Sequence, residues 1–130
     1  MKKFAILLLP VAFLASCSKC DDDIDGVVCT QELRMITLKV KSATDALVTL
    51  DSFYTLRPSR NERIQSREQA GPGVYVVLDD SYHRRLVRSE DNFRFVGWKN
   101  GQTVVDQTYR IAGDDCHIYK KAGMDSVVVQ

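Results

Sequence analysis

The chain has 130 residues, with 18 basic and 17 acidic side chains, a formal net charge of +1 and 45% hydrophobic residues. That length supports one domain with a real core rather than two. The balanced charge excludes bulk electrostatic attraction to nucleic acid or to an anionic lipid surface.

The N-terminus opens with Lys2 and Lys3, continues through an apolar stretch from Phe4 to Leu14 broken only by Pro10, and ends on the small residues Ala15 and Ser16. This is the order of a secretory signal peptide. The apolar run is about 11 residues, short of the roughly 20 that a membrane span needs. Leu14-Ala15-Ser16-Cys17 resembles the lipobox of bacterial lipoproteins. The resemblance implies that the Cys17 thiol is acylated with diacylglycerol, that the chain is cut before it, and that the new amine takes a further acyl chain. Two or three chains give stable anchoring, at about 0.8 kcal/mol per buried methylene. The lipid bilayer, held through acylated Cys17, is then the first partner. Residues 1–16 form the signal peptide, 17–29 a tether and 30–130 the folded domain.

Without its first sixteen residues, which hold two basic side chains and no acidic one, the chain carries 16 basic against 17 acidic groups. The tether contains Asp21, Asp22, Asp23 and Asp25, which repel one another and bury nothing. The run lacks the spaced ligands and turn glycine of a calcium loop. An acidic cluster just after the lipid cysteine resembles the surface-export signal of Bacteroidota lipoproteins, which implies an outer-membrane protein displayed on the cell surface.

Cys20, Cys29 and Cys116 remain in a compartment where disulfides persist. Cys29 and Cys116 each flank an expected strand near one end of the domain. Pairing them closes a loop of about 88 residues, for roughly 4 kcal/mol in the chain-entropy view. Cys20–Cys29 is the alternative and closes only a small N-terminal loop.

Past Cys29 the hydrophobic period is two. Ile36, Leu38 and Val40 face one way in Met35–Lys41, a half-buried strand. Ser42 to Ala46 is a turn with Asp45. Leu47 to Leu56 is expected as one strand, with Val48 and Leu50 inside and Tyr54 or Leu56 closing the face. Arg57 to Gly73 carries Pro58, ends in Gly71-Pro72-Gly73 and reads as a long loop. Val74–Leu78 is apolar throughout and is expected to be a central strand. Tyr82 to Ser89 follows as a short helical turn or irregular crossover. Phe93–Trp98 and Thr103–Val105 flank Asn100-Gly101, the strongest short hairpin signal because both turn positions need positive φ. Tyr109–Ile111 is a further strand. Cys116–Tyr119 and Ser126–Val129 look like a closing hairpin through Lys121-Ala122-Gly123.

Short strands at regular intervals, without the amphipathic helices of a parallel α/β protein, give an all-β fold: an antiparallel sandwich, Ig-like or transthyretin-like, of about seven strands. Ile36-Thr37-Leu38-Lys39-Val40, Leu50-Asp51-Ser52-Phe53-Tyr54-Thr55, Phe93-Arg94-Phe95-Val96-Gly97 and Asp115-Cys116-His117-Ile118 carry a further resemblance. With the lipobox and acidic tether, the chain is similar to small Bacteroidota envelope lipoproteins with a transthyretin-like (carboxypeptidase-regulatory-like) domain. The resemblance implies an adhesive, scaffolding or accessory role without a catalytic centre.

The chemical candidates are few. Cys116 and His117 are adjacent, so on a strand they point to opposite faces and do not meet, and no third group to orient His117 is evident. Zinc through Cys20, Cys29, Cys116 and His117 lacks paired short spacing. Asp79-Asp80 and Asp114-Asp115 read as turn-capping carboxylates, with a calcium site between their loops as the alternative. No Gly-rich phosphate cradle is present, and no cofactor is expected. Arg57, Arg60, Arg63 and Arg67 against Glu62 and Glu68 read as a solvated loop edge, with a phosphate or carboxylate clamp as the sharper alternative. Trp98 belongs to the core or, if exposed, stacks on a sugar ring. Asp125-Ser126-Val127 resembles an O-glycosylation sequon of exported Bacteroidota proteins. The expected role is a non-enzymatic interaction or accessory module of a surface complex, bound to an envelope protein. A carbohydrate-binding module using Trp98 and the arginine loop, with a glycan as partner, is the alternative.

Overall fold

In the computed structural model, which describes residues 26–64 and 69–130, the alternating segment becomes strand β1, Met35–Ser42. The signal peptide, Cys17, Cys20, the Asp run and Arg67 lie outside the described residues. Ile36, Leu38 and Val40 are buried in β1 as the period of two requires. The apolar run forms β5, Val74–Asp79, antiparallel to β1. β4, Gln69–Gly71, pairs with the other edge of β5, and β9, Ser126–Val129, lies parallel to β1. This four-stranded sheet has the order β4-β5-β1-β9.

The second sheet is built on the Asn100-Gly101 hairpin. Both turn residues have positive φ, 52° and 75°, and they join β6, Ser89–Lys99, to β7, Gln102–Gly113. Thr103–Val105 and Tyr109–Ile111 are therefore one long strand. β2, Ser52–Arg57, pairs with β6, β3, Glu62–Ile64, with β2, and β8, Ile118–Ala122, with β7, in the order β3-β2-β6-β7-β8. The two sheets bury Leu38, Val40, Tyr75, Val77, Phe93, Phe95, Tyr109 and Ile111 between them. The result is an all-β sandwich with nine strands among the described residues. The extra strands are β3 and β4, three-residue edges inside the region expected to be a loop. They are too short for an alternation pattern to reveal.

Two expectations fail for one reason, which is that the chain changes sheets. Leu47 to Leu56 is not one strand. Residues 47–51 leave β1 and cross to the second sheet, with Val48 N–H donating to Val40 O at 2.9 Å and Asp51 N–H donating to Trp98 O at 2.8 Å. The crossing shifts the side-chain phase. Phe53, Thr55 and Arg57 face inward, and Tyr54 and Leu56 face out, so neither Tyr54 nor Leu56 closes the core. Likewise, the last two strands form no hairpin. β8 extends the second sheet, residues 123–125 cross over, and β9 joins the first. Tyr109 O–H donates to Met124 O at 2.9 Å and Lys39 N–H to Asp125 O at 2.9 Å, which pins that crossing.

The first crossing is held by one buried hydroxyl. Leu50 N–H donates to Tyr75 Oη at 2.6 Å, and Tyr75 O–H donates to Val48 O at 3.0 Å. Gly97 admits Leu50 beneath β6, since a Cβ there would lie 2.6 Å from Leu50 Cδ1. Tyr75→Phe leaves the Leu50 N–H buried without a partner, which costs about 1–3 kcal/mol. Urea denaturation of the two proteins measures it.

Candidate functional site

Because β2 enters the second sheet in the shifted phase, Tyr54 stands on the outer face. Ser52 lies opposite Trp98, and Tyr54 opposite Val96, so Tyr54 and Trp98 are diagonal neighbours. Their ring centroids are 5.0 Å apart, with the planes tilted by 34°. Arg63 lies opposite Leu56 on β3, which sets it diagonal to Tyr54, and its guanidinium carbon is 3.9 Å from the Tyr54 centroid. Trp98 is thus half-buried on the outer face rather than in the core. A cleft of about 530 Å³ is lined by Asp51, Ser52, Tyr54, Arg63, Trp98 and Gly101. One oxygen of Asp51 accepts the Asn100 N–H at 2.6 Å. Aromatic faces, a guanidinium and a carboxylate can stack on an apolar surface while bonding its polar edges.

The arginines expected to act together are divided. Arg57 and Arg60 line a separate cleft of about 610 Å³ with Asn61, Glu62 and Arg85. Arg57 faces inward and is 8% exposed. Its Nε donates to Asp91 Oδ2 at 2.7 Å, its guanidinium carbon is 5.9 Å from the Phe93 centroid, and Ser59 donates to the same carboxylate oxygen. Burial pushes the Asp91 carboxyl up, but the bonds from Ser59, Arg57 and the Asn92 N–H outweigh it and hold the group below the usual Asp range. Arg85 pairs with Glu62 and lies 4.8 Å over the Tyr82 ring. Arg60 is exposed.

His117 has the orienting group that the sequence did not reveal. It is buried, with Nδ1 2.7 Å from Asp80 Oδ2 and Nε2 3.0 Å from the Thr30 hydroxyl. Thr30, His117 and Asp80 thus stand in the order of a nucleophile, a base and its orienter. The nearby amides are committed elsewhere, however. Ile118 N–H and Arg34 N–H donate to Asp80, and Cys116 N–H and His117 N–H donate to Asp114. No pair of these donors is free to hold an oxyanion. The network's visible work is to fasten the arm before β1. Cys29 and Cys116 stand at disulfide distance with their Cα atoms 5.3 Å apart, which removes both thiols from any zinc site. Asp79 caps Ser81 N–H and Asp114 caps the Cys116 and His117 N–H groups, as turn residues do, whereas Asp80 and Asp115 instead tie distant segments together through Arg34, His117, Ile118 and Arg88. Among the described residues no group of three or more His, Cys, Asp and Glu converges on a metal site. Ser126 is exposed where it opens β9.

No family model matches this chain, and no curated protein or solved structure is significantly similar to it.

Burial pushes the Asp80 carboxyl up, but the Ile118 and Arg34 N–H groups and His117 outweigh it and leave the group below its ordinary value. Asp114 shifts the same way, chiefly through the His117 and Cys116 N–H groups. A carboxyl depressed on folding stabilises the fold above its unfolded pKa, about 3.9 for Asp, and that stability is lost as pH falls through the folded value. Stability therefore drops as pH is lowered below about 4. Asp80→Asn is less stable at neutral pH and loses less on acidification, as thermal melts across the range will record.

Proposed function

We propose that the chain is a lipid-anchored, non-catalytic recognition module of the outer membrane, an accessory part of a surface complex. The observation that carries this reading is the outer-face cleft of Tyr54, Trp98 and Arg63. Trp, Tyr and Arg are the residue types that dominate the energetics of protein interfaces, because each combines a large apolar body with a polar or charged handle. Here they are stacked on three adjacent strands of a rigid sheet, so little side-chain entropy is lost on binding. The lipobox at Cys17 and the acidic tether support the envelope location. The spent amides around His117 support a role without catalysis.

A second reading, carbohydrate binding, rests on the same rings. An aromatic face such as that of Trp98, braced by Tyr54, suits the C–H face of a sugar, and Asp51 and Arg63 can bond its hydroxyls.

Crosslinking of intact cells, followed by purification in mild detergent, tests the first reading. The native protein brings down a reproducible envelope partner, and Trp98→Ala loses it. A partner retained equally by Trp98→Ala contradicts the assignment of the cleft. Binding of the native protein, but not Trp98→Ala, on a glycan array decides for sugar. Cys17→Ser eliminates incorporation of labelled palmitate, and labelling that persists in this variant contradicts the anchor.

A further inference from the structure

We propose that the cleft lined by Arg57, Arg60 and Arg85 binds a phosphate group. The buried Arg57 is its floor. Arg57 lies on the inner face of β2, where the shifted phase aims it between the sheets, and it is 8% exposed. Among the described residues only its Nε is used, by Asp91. Asp91 also accepts from Ser59 at Oδ2 and from the Asn92 N–H at Oδ1, the latter at 2.8 Å. Among the described residues no acceptor bonds either terminal nitrogen of Arg57. Neither nitrogen is sealed in the core, because among the described residues no enclosed side-chain nitrogen or oxygen lacks a partner. These N–H groups therefore open onto the cleft. Water can reach these donors through the cleft, and an oxyanion that replaces it gains charge-assisted bonds to a guanidinium already held in place by Asp91.

The walls supply the rest. The 310 turn Pro58–Arg60 closes on Asn61 at φ 48°, reversing the chain so that Arg60 borders the same cleft. Arg85 enters from the 310 segment Asp80–Arg85. Among the described residues three guanidinium groups here meet two carboxylates, Glu62 and Asp91, an excess of one positive charge. Guanidinium groups on a floor and two walls suit a phosphate, whose oxygens can accept from several sides at once. The position also favours phosphate. Arg57 and Asp91 lie at the end of the sandwich where Asp80 and His117 hold the arm that leads back to Cys17. A lipid headgroup and free phosphate are both within that chemistry. The inference does not depend on the aromatic cleft, which is at the other end of β6.

Isothermal titration calorimetry of the full chain in neutral detergent tests it, with inorganic phosphate against chloride at matched ionic strength. Saturable phosphate binding is expected, weakened about tenfold or more in Arg60→Ala, the loss of one charge-assisted bond. Arg60 is exposed, so this variant keeps its fold. Arg57→Lys, which preserves charge but not the fork, also weakens binding, and circular dichroism checks that it is folded. Soluble short-chain phosphatidic acid, compared with phosphatidylcholine, separates the sources. Tighter binding of phosphatidic acid than of inorganic phosphate assigns the headgroup, and equal or weaker binding assigns free phosphate. No saturable phosphate heat, or equal affinity in Arg60→Ala, overturns the proposal.

Discussion

The phase of β2 determines which surfaces this molecule offers, and that phase depends on how the chain crosses between the sheets at residues 47–51. A slip of one residue in a strand sends every side chain to the opposite face. The crossing is held by the Tyr75 hydroxyl, which bonds both Leu50 N–H and Val48 O inside the core. In the phase it enforces, Tyr54 stands outside beside Trp98 and Arg57 turns in beside Phe93. Thr55, also inward, donates to Val77 O at 2.7 Å and stitches one sheet to the other. In the opposite phase the arginine would be solvated, the tyrosine buried, and both clefts lost.

The second constraint lies at the end where the arm enters. Cys29 with Cys116, Thr30 with His117 and Arg34 with Asp80 fasten residues 29–34 across the ends of both sheets. A pull on the arm is therefore shared between the two sheets and not borne by β1 alone. This gives the sandwich a direction. The arginine cleft lies at the end where the arm leaves, and the aromatic cleft lies roughly 20 Å farther along β6, at about 3.3 Å per residue. An anchor at Cys17 would thus hold the aromatic cleft away from the membrane and the arginine cleft towards it.

Much of the sandwich was legible because its signals are local. The alternation in β1, the apolar run in β5 and Asn100-Gly101 each specify an element within a few residues. The pairing of Cys29 with Cys116 was legible from their places near the two ends of the domain, although Cys29 lies in the arm six residues before β1 rather than beside a strand. What stayed hidden is non-local. Nothing in Leu47–Leu56 states that the backbone changes sheets, so Tyr54 or Leu56 was expected to close the core, and Arg57 was expected on a solvated loop edge rather than inside β2. The same holds for the last two strands, whose spacing suits a hairpin although β9 pairs with β1. Asp80 as the partner of His117 was out of reach for a further reason, since 37 residues separate them and either Asp would serve equally well as a turn cap. The arginine run was visible as a run, but not its division between two clefts.

The central claim is that the Tyr54–Trp98–Arg63 cleft is the working surface. Site-specific photo-crosslinking in living cells tests it most directly, with the probe at Ser52 on the rim of that cleft and, as comparison, at Lys39 on the outer face of the four-stranded sheet. The account predicts a discrete crosslinked species from Ser52 and none from Lys39. Silence at Ser52, or the same species from both positions, would contradict it.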